Sequence, residues 1–249
     1  MRLTLAALLL PVAALAGCNS NTAATNGSTP APAASAAAAP AGSNWVDTVA
    51  RTPEGGVRMG NPDAPVKLVE YGSRACPYCA KFDAEGFPAL KAGPIAKGTV
   101  SYEFREYPVH GSLDLAPILL GKCVDDSIFF PMLDQMMQNQ QTLLANVETA
   151  QREIAQTLPN GTPNQIATAW AEKLGYIDFV KQRGLPEAKA RACLADKGGV
   201  DALAKNAAAA EQSYNVAGTP TFLINNKPVA GVNDWAGLKP QLNAAGAGI

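Results

Sequence analysis

Apolar residues recur along this chain with two different periods, and the change of period divides it. Val66-Lys67-Leu68-Val69-Glu70-Tyr71 is apolar enough to read as a strand. The turn-rich run Arg58-Met59-Gly60-Asn61-Pro62-Asp63-Ala64-Pro65 leads into it. A helix is predicted from Pro77 to about Lys91, stopped by Gly93-Pro94. Thr99 to Glu106 alternates as a strand does, with Val100, Tyr102 and Phe104 on one face and Ser101, Glu103 and Arg105 on the other. This much is a β-α-β unit, with parallel strands and a crossover helix.

From Ser112 to about Tyr214 the period is helical. Val124 to Leu144 carries Ile128, Phe129, Leu133, Met136 and Met137 at helical spacings, with Asp125 and Asp126 in its first turns. Thr162-Pro163-Asn164-Gln165 is a capping box with proline at the first helical position. The helix it opens carries Ile166, Ala169, Trp170 and Leu174 and stops at Gly175. Tyr176 to Arg183 and Pro186 to Leu194 are two more, and Val200 to Ser213 is a long alanine-rich one. The chain closes with a strand at Thr221 to Ile224, a turn at Asn225-Asn226, a return from Lys227 to Ala230, and a helix from Asn233 or Asp234. The fold class is α/β.

Outside this patterned region the composition changes. Met1-Arg2 supplies a positive start, Leu3 to Leu10 an apolar run too short to span a bilayer, and Leu15-Ala16-Gly17-Cys18 a close of small residues before a cysteine. The pattern resembles a bacterial lipoprotein signal, which implies cleavage after residue 17 and lipidation of Cys18. An ordinary secretory signal with a stray cysteine is the other reading. Asn19, rather than aspartate, after the lipid site favours the outer membrane by the same resemblance. Asn19 to Ser43 is low in complexity and has almost nothing to bury, so residues 18–44 read as a flexible lipid-anchored tether. Residues 45–249 then make one domain, with a helical insertion over about residues 112–195. Twenty basic and 21 acidic residues leave a net charge of −1 and no basic stripe, which excludes nucleic-acid binding on electrostatic grounds.

The chemistry concentrates in Cys76-Pro77-Tyr78-Cys79. The preceding strand and following helix put the first thiol at a helix N-terminus, where unpaired N–H groups and the helix dipole favour a thiolate. A second thiol one turn on completes the equipment for thiol–disulfide exchange. A zinc half-site is the bland alternative, but the chain offers no second C-x-x-C and one histidine. Five cysteines are an odd number. With Cys18 lipidated and Cys76 and Cys79 paired, Cys123 and Cys193 remain, either as a structural disulfide or as two small buried thiols.

Cys-Pro-Tyr-Cys after the strand, together with Val216-Ala217-Gly218-Thr219-Pro220-Thr221-Phe222 before the terminal hairpin, resembles the thioredoxin superfamily. The helical block after the β-α-β unit makes the chain similar to the DsbA family of bacterial thiol–disulfide oxidoreductases. Met59-Gly60-Asn61-Pro62-Asp63-Ala64-Pro65 and Val69-Glu70-Tyr71 match as well, and the likeness covers about residues 57–242. The resemblance implies a thioredoxin fold with an inserted helical domain. It implies an exposed nucleophile at Cys76, a buried partner at Cys79, a cis bond before Pro220, and a Thr219 that pairs with bound polypeptide and tunes reactivity. It also implies a buried Glu70 that assists proton transfer; the alternative is a solvent-facing strand glutamate. Cysteine-containing exported polypeptides would be the substrates and a membrane redox partner would recycle the pair, with no metal or organic cofactor. Only a tether precedes the fold, so a monomer is expected. Pro77-Tyr78 departs from the Pro-His of strongly oxidising relatives and offers no positive charge to the thiolate. His110 is expected to be a surface or hinge residue without a chemical role. A reductase or isomerase, and a non-catalytic binding module of the same fold, are the competing readings.

Overall fold

The computed structural model describes residues 38–40 and 44–249. The signal, Cys18 and nearly all of the tether lie outside the described residues. A six-stranded sheet organises the domain. Its strands are β1 (Val49–Arg51), β2 (Val57–Met59), β3 (Val66–Gly72), β4 (Val100–Glu106), β5 (Thr221–Ile224) and β6 (Lys227–Pro228), in the order β1-β2-β4-β3-β5-β6. β3 and β4 run parallel, with Leu68 beside Tyr102 and Glu70 beside Phe104; every other pair is antiparallel. The crossover between β3 and β4 is α1 (Pro77–Glu85) and α2 (Phe87–Leu90), followed by a π-turn segment, Lys91–Ile95. Between β4 and β5 the chain is helical: α3 (Ser112–Lys122), α4 (Asp126–Gln138), α5 (Gln140–Leu143), α6 (Val147–Thr157), α7 (Pro163–Lys173), α8 (Tyr176–Lys181), α9 (Glu187–Ala195) and α10 (Lys197–Tyr214). The last helix is α11 (Trp235–Ala244).

Strand periodicity decides which face each β3 side chain serves. Val66, Leu68 and Glu70 point to the face that carries α1, where one apolar core runs from the sheet into the helical block through Phe82, Phe104, Phe129 and Trp170. Val69 and Tyr71 point the other way, against Ala210 and Val216 from α10 and the segment after it. The sheet is therefore covered on both faces, and β4 is buried along its whole length. Its polar face is inside as well: Arg105 donates to both Glu103 oxygens at 2.7 and 3.0 Å and to the Tyr71 hydroxyl at 3.0 Å.

Several expectations need correction. β1 and β2 were not anticipated, and β2 takes in the start of the stretch read as turn. Each has three residues, too few for a period to show. The helix expected from Pro77 to Lys91 stops at Glu85. A Cβ on Gly86 would come within 2.9 Å of the Phe82 and Trp235 rings, so the bare glycine admits the packing of α11 there. Val124 to Leu144 is two helices rather than one, and Ile128 faces solvent while Phe129, Leu133, Met136 and Met137 are buried. α10 starts at Lys197 because the Asp196 carboxylate accepts from the Gly198 and Gly199 N–H groups. The capping box at Thr162 is present with both of its hydrogen bonds.

Candidate active site

β3 ends at Gly72, and residues 73–76 turn the chain into α1. Cys76 is the N-cap of α1, Pro77 its first residue, and Tyr78 its most exposed large side chain. Cys79 lies one position into the turn below and is 1% exposed. Cys76 itself is only 4% exposed, less open than a nucleophile was expected to be. The loop that crosses it, 143 residues further along the chain, leads into β5, the neighbour of β3 in the sheet. Thr219-Pro220 is a cis bond immediately before β5, and Cys76 Sγ donates to the Thr219 carbonyl at 3.3 Å. The Thr219 hydroxyl is buried without a partner.

The two thiols are driven apart electrostatically. Cys76 falls from the usual 9 to about 5, chiefly because Cys79 hydrogen-bonds to it. Burial opposes the shift, and Thr219 and the N–H groups of Cys79 and Tyr78 reinforce it. Cys79 goes well upward, first through burial. Beneath them Glu70 is 2% exposed and accepts from the Tyr102 hydroxyl at 2.6 Å. Burial pushes Glu70 to about 8, against the Tyr102 hydrogen bond that lowers it. Glu70 is thus a buried carboxyl that holds a proton at neutral pH beside Cys79. The face assignment of β3 places it there, and the solvent-facing alternative is excluded.

Four parts of the site were not foreseen. Arg74, 1% exposed, donates from Nε and Nη2 to Glu106 Oε1 at 2.9 and 2.7 Å and so ties the active-site turn to the end of β4. Its guanidinium lies 5.1 Å from the Phe129 ring centre and fills the space left by Gly121, where a Cβ would meet it at 2.2 Å. Gln140, from α5, donates to the carbonyls of Arg74 and Cys76 at 3.1 and 3.0 Å, a clamp from the helical block onto the turn. Asp83, one turn after Cys79 on α1, has a buried unpaired oxygen, and burial with nearby Asp134 raises it. His110 is exposed, as expected of a surface residue, but its ring meets Ser73 and Asp114 in a cluster against the same turn. None of these residues sits in a motif. An arginine or a glutamine reads as surface, and a histidine's partners stay hidden, until the neighbours are known.

Cys123 and Cys193 are joined in a disulfide with Cα atoms 6.1 Å apart. It links the C-cap of α3 to α9 within the helical block.

A thioredoxin family model matches residues 52–244. The chain belongs to this thioredoxin family. Among solved structures, a protein-disulfide isomerase of Novosphingobium aromaticivorans is 32% identical in sequence, with a TM-score of 0.70 over 75% of this chain and 95% of that one. The α-DsbA1 of Wolbachia pipientis, at 18% identity and a TM-score of 0.57 over 77% of this chain and 90% of that one, shares the fold. A probable disulfide bond formation protein D of Bacillus cereus is 35% identical over 85 residues, which are 33% of this chain and 39% of that protein. The chain spans between 39% and 56% of the length of the curated relatives it matches first. The fold is the mixed α/β thioredoxin type with a helical insertion, and the family resemblance read from the sequence stands.

Proposed function

We propose that the chain is a thiol–disulfide oxidoreductase of the bacterial cell envelope, which exchanges a Cys76–Cys79 disulfide with cysteines of exported polypeptides. The observation that carries this reading is the pair of thiols one helical turn apart whose acidities are pushed in opposite directions. In the oxidising direction, a substrate thiolate attacks the Cys76 sulfur. The Cys76–Cys79 bond breaks, Cys79 leaves with the electron pair, and the Glu70 carboxyl supplies its proton. A second substrate thiolate then attacks the substrate sulfur of the mixed disulfide. Cys76 leaves as a thiolate, and the buried Thr219 hydroxyl is free to donate to it. Two substrate thiols are oxidised to a disulfide, and the enzyme disulfide is reduced to the pair. In the reverse direction, Cys76 attacks a substrate disulfide and Cys79, deprotonated by Glu70, resolves it.

The cleft beside Thr219 and Pro220, about 490 Å³ and lined also by Gly218, Val229 and Val232, is where an extended polypeptide would lie. Lipid anchoring through Cys18, an outer-membrane location, a membrane redox partner and a monomeric state rest on the sequence pattern. Among the described residues no helix is long and apolar enough to cross a membrane.

Purified protein should oxidise a dithiol peptide in glutathione buffer, and Cys76→Ala should abolish turnover. Persistent turnover in that variant would overturn the reading, and an inactive parent protein would favour a binding module. An isomerase or reductase remains the second reading, because the Novosphingobium neighbour carries the isomerase name. The potential of the pair separates them: about −120 mV marks a donor and about −270 mV a reductase. A Cys76 value of about 5 lies between the roughly 3.5 and 7 of those two extremes.

A further inference from the structure

We propose that His110 is the positive partner of the Cys76 thiolate, held in place by Asp114 and Ser73, and that it supplies, from the turn before α3, the charge that Pro77-Tyr78 lacks. The inference rests on the thiol-exchange reading above and names a positioning residue for it.

The cluster is built from a buried carboxylate outward. Asp114, in the first turn of α3, is fully buried and accepts from the Ser73 hydroxyl at 2.7 Å and from the His110 backbone N–H at 2.7 Å. His110 Nδ1 stands 3.3 Å from Asp114 Oδ2 and 3.3 Å from Ser73 Oγ. Ser73 Oγ in turn accepts from the Ala75 N–H at 3.0 Å, and the Ser73 carbonyl accepts from the Cys76 N–H at 3.2 Å. A continuous set of hydrogen bonds therefore runs from the imidazole into the turn that presents Cys76. A buried carboxylate with one charged neighbour stabilises imidazolium over imidazole. His110 is accordingly raised, first by the Asp114 hydrogen bond, against burial, and further by the charges of Asp114 and Cys76.

The remaining surroundings do not compete. α6 presents Gln151 and Ile154 and α7 presents Ile166 and Trp170 along the groove that His110 lines, none of them charged. Trp170 Nε1 donates to Ser112 Oγ. Tyr176, from α8, faces Asp114 and is held neutral by burial. Asp114 and Cys76 are then the ionisable groups that bear on the imidazole.

The sign is definite. His110 is raised from the ordinary imidazole value while Cys76 is lowered from the ordinary thiol value, so imidazolium and thiolate favour each other where both are charged. Oxidation to the disulfide removes the thiolate charge, and the imidazole then loses part of its support. The coupling is reciprocal: what His110 does for Cys76, Cys76 does for His110.

His110 is the chain's single histidine, so its ring-proton NMR titration is unambiguous. In full-length protein its pKa should be higher in the dithiol form than in the disulfide form by roughly half to one unit. In His110→Gln, the Cys76 thiolate absorbance should titrate higher by a matching amount, and the equilibrium with glutathione should move roughly three- to tenfold toward the enzyme disulfide. The wild-type NMR measurement needs no variant to fold. An imidazole pKa identical in the two redox states, in protein that turns over, overturns the inference and leaves the oxidoreductase reading standing. Protein that does not turn over, with the same NMR result, overturns both.

Discussion

Cys76 and Cys79 carry the same side chain, and three residues of helix make them unlike. Both are buried, but one sits at the N-cap, where N–H groups and the neighbouring thiol converge on it, and the other lies a turn further in, where burial raises its pKa. Alkylation of reduced protein should therefore label Cys76 and spare Cys79, with a rate that rises through about pH 5 and levels above it. Equal labelling at neutral pH would contradict the assignment. The same shift links to stability. A thiol whose folded pKa lies below its unfolded value stabilises the dithiol form fully above about 9, and that stabilisation declines as pH falls toward about 5. Glu70 works in the opposite sense. Its folded value of about 8 lies above the usual 4.5, so burying it costs nothing in acid and an increasing amount as pH rises through that window. Glu70→Gln keeps an oxygen that can accept from Tyr102 and removes the titration. The variant should be at least as stable as the parent at pH 8, and it should resolve mixed disulfides roughly ten- to hundredfold more slowly, as rapid-mixing kinetics would show. Unchanged resolution would remove Glu70 from the proton path.

At the scale of elements, the site is a turn held from three sides. The loop before β5 brings the Thr219 carbonyl over Cys76, α5 brings Gln140 onto two carbonyls of the turn, and the end of β4 brings Glu106 to Arg74. The Arg74–Glu106 pair is almost wholly enclosed, and burial keeps the Glu106 carboxyl above its ordinary value despite the guanidinium. Breaking such a pair on one side leaves a buried charge without compensation. Arg74→Leu should cost about 3–5 kcal/mol in denaturant unfolding at pH 7.5. The loss should shrink at pH 5, where Glu106 more readily takes a proton. A loss under 1 kcal/mol at both pH values would show that the pair is replaceable packing. Gly121 belongs to the same contact, since any Cβ there enters the guanidinium.

At the scale of the molecule, the helical block is continuous with the sheet core rather than a separate body, because Phe129, Phe130 and Met132 of α4 pack with Phe104 and Tyr102 of β4. The Cys123–Cys193 disulfide staples the far side of that block across a 70-residue separation. The chain-entropy model puts the stabilisation from closing such a loop at about 4 kcal/mol, an upper figure for a compact unfolded chain. Cys123→Ala with Cys193→Ala should lower the melting temperature markedly and leave dithiol turnover intact. Lost turnover in folded double variant would reveal a path from this bond to the redox pair.

Local sequence determined most of this protein's outline. Cys-Pro-Tyr-Cys between a strand and a helix, Gly-Thr-Pro-Thr-Phe before a hairpin, and the switch from a period of two to 3.6 are written within a few residues each, and each implies its local geometry. A buried Glu70 was legible only through the family resemblance, and the structure decided it by giving Glu70 the face of β3 that Leu68 shares. Contacts across long separations were decided by the tertiary structure alone. Arg74 meets Glu106 across 32 residues, Gln140 meets Cys76 across 64, and His110 meets Ser73 across 37. A polar side chain carries no mark of the partner that will bury it. Burial is set by how β3, β4 and the helical block close over the turn, and only that closure buries an arginine and a glutamine and brings an exposed histidine against the same site.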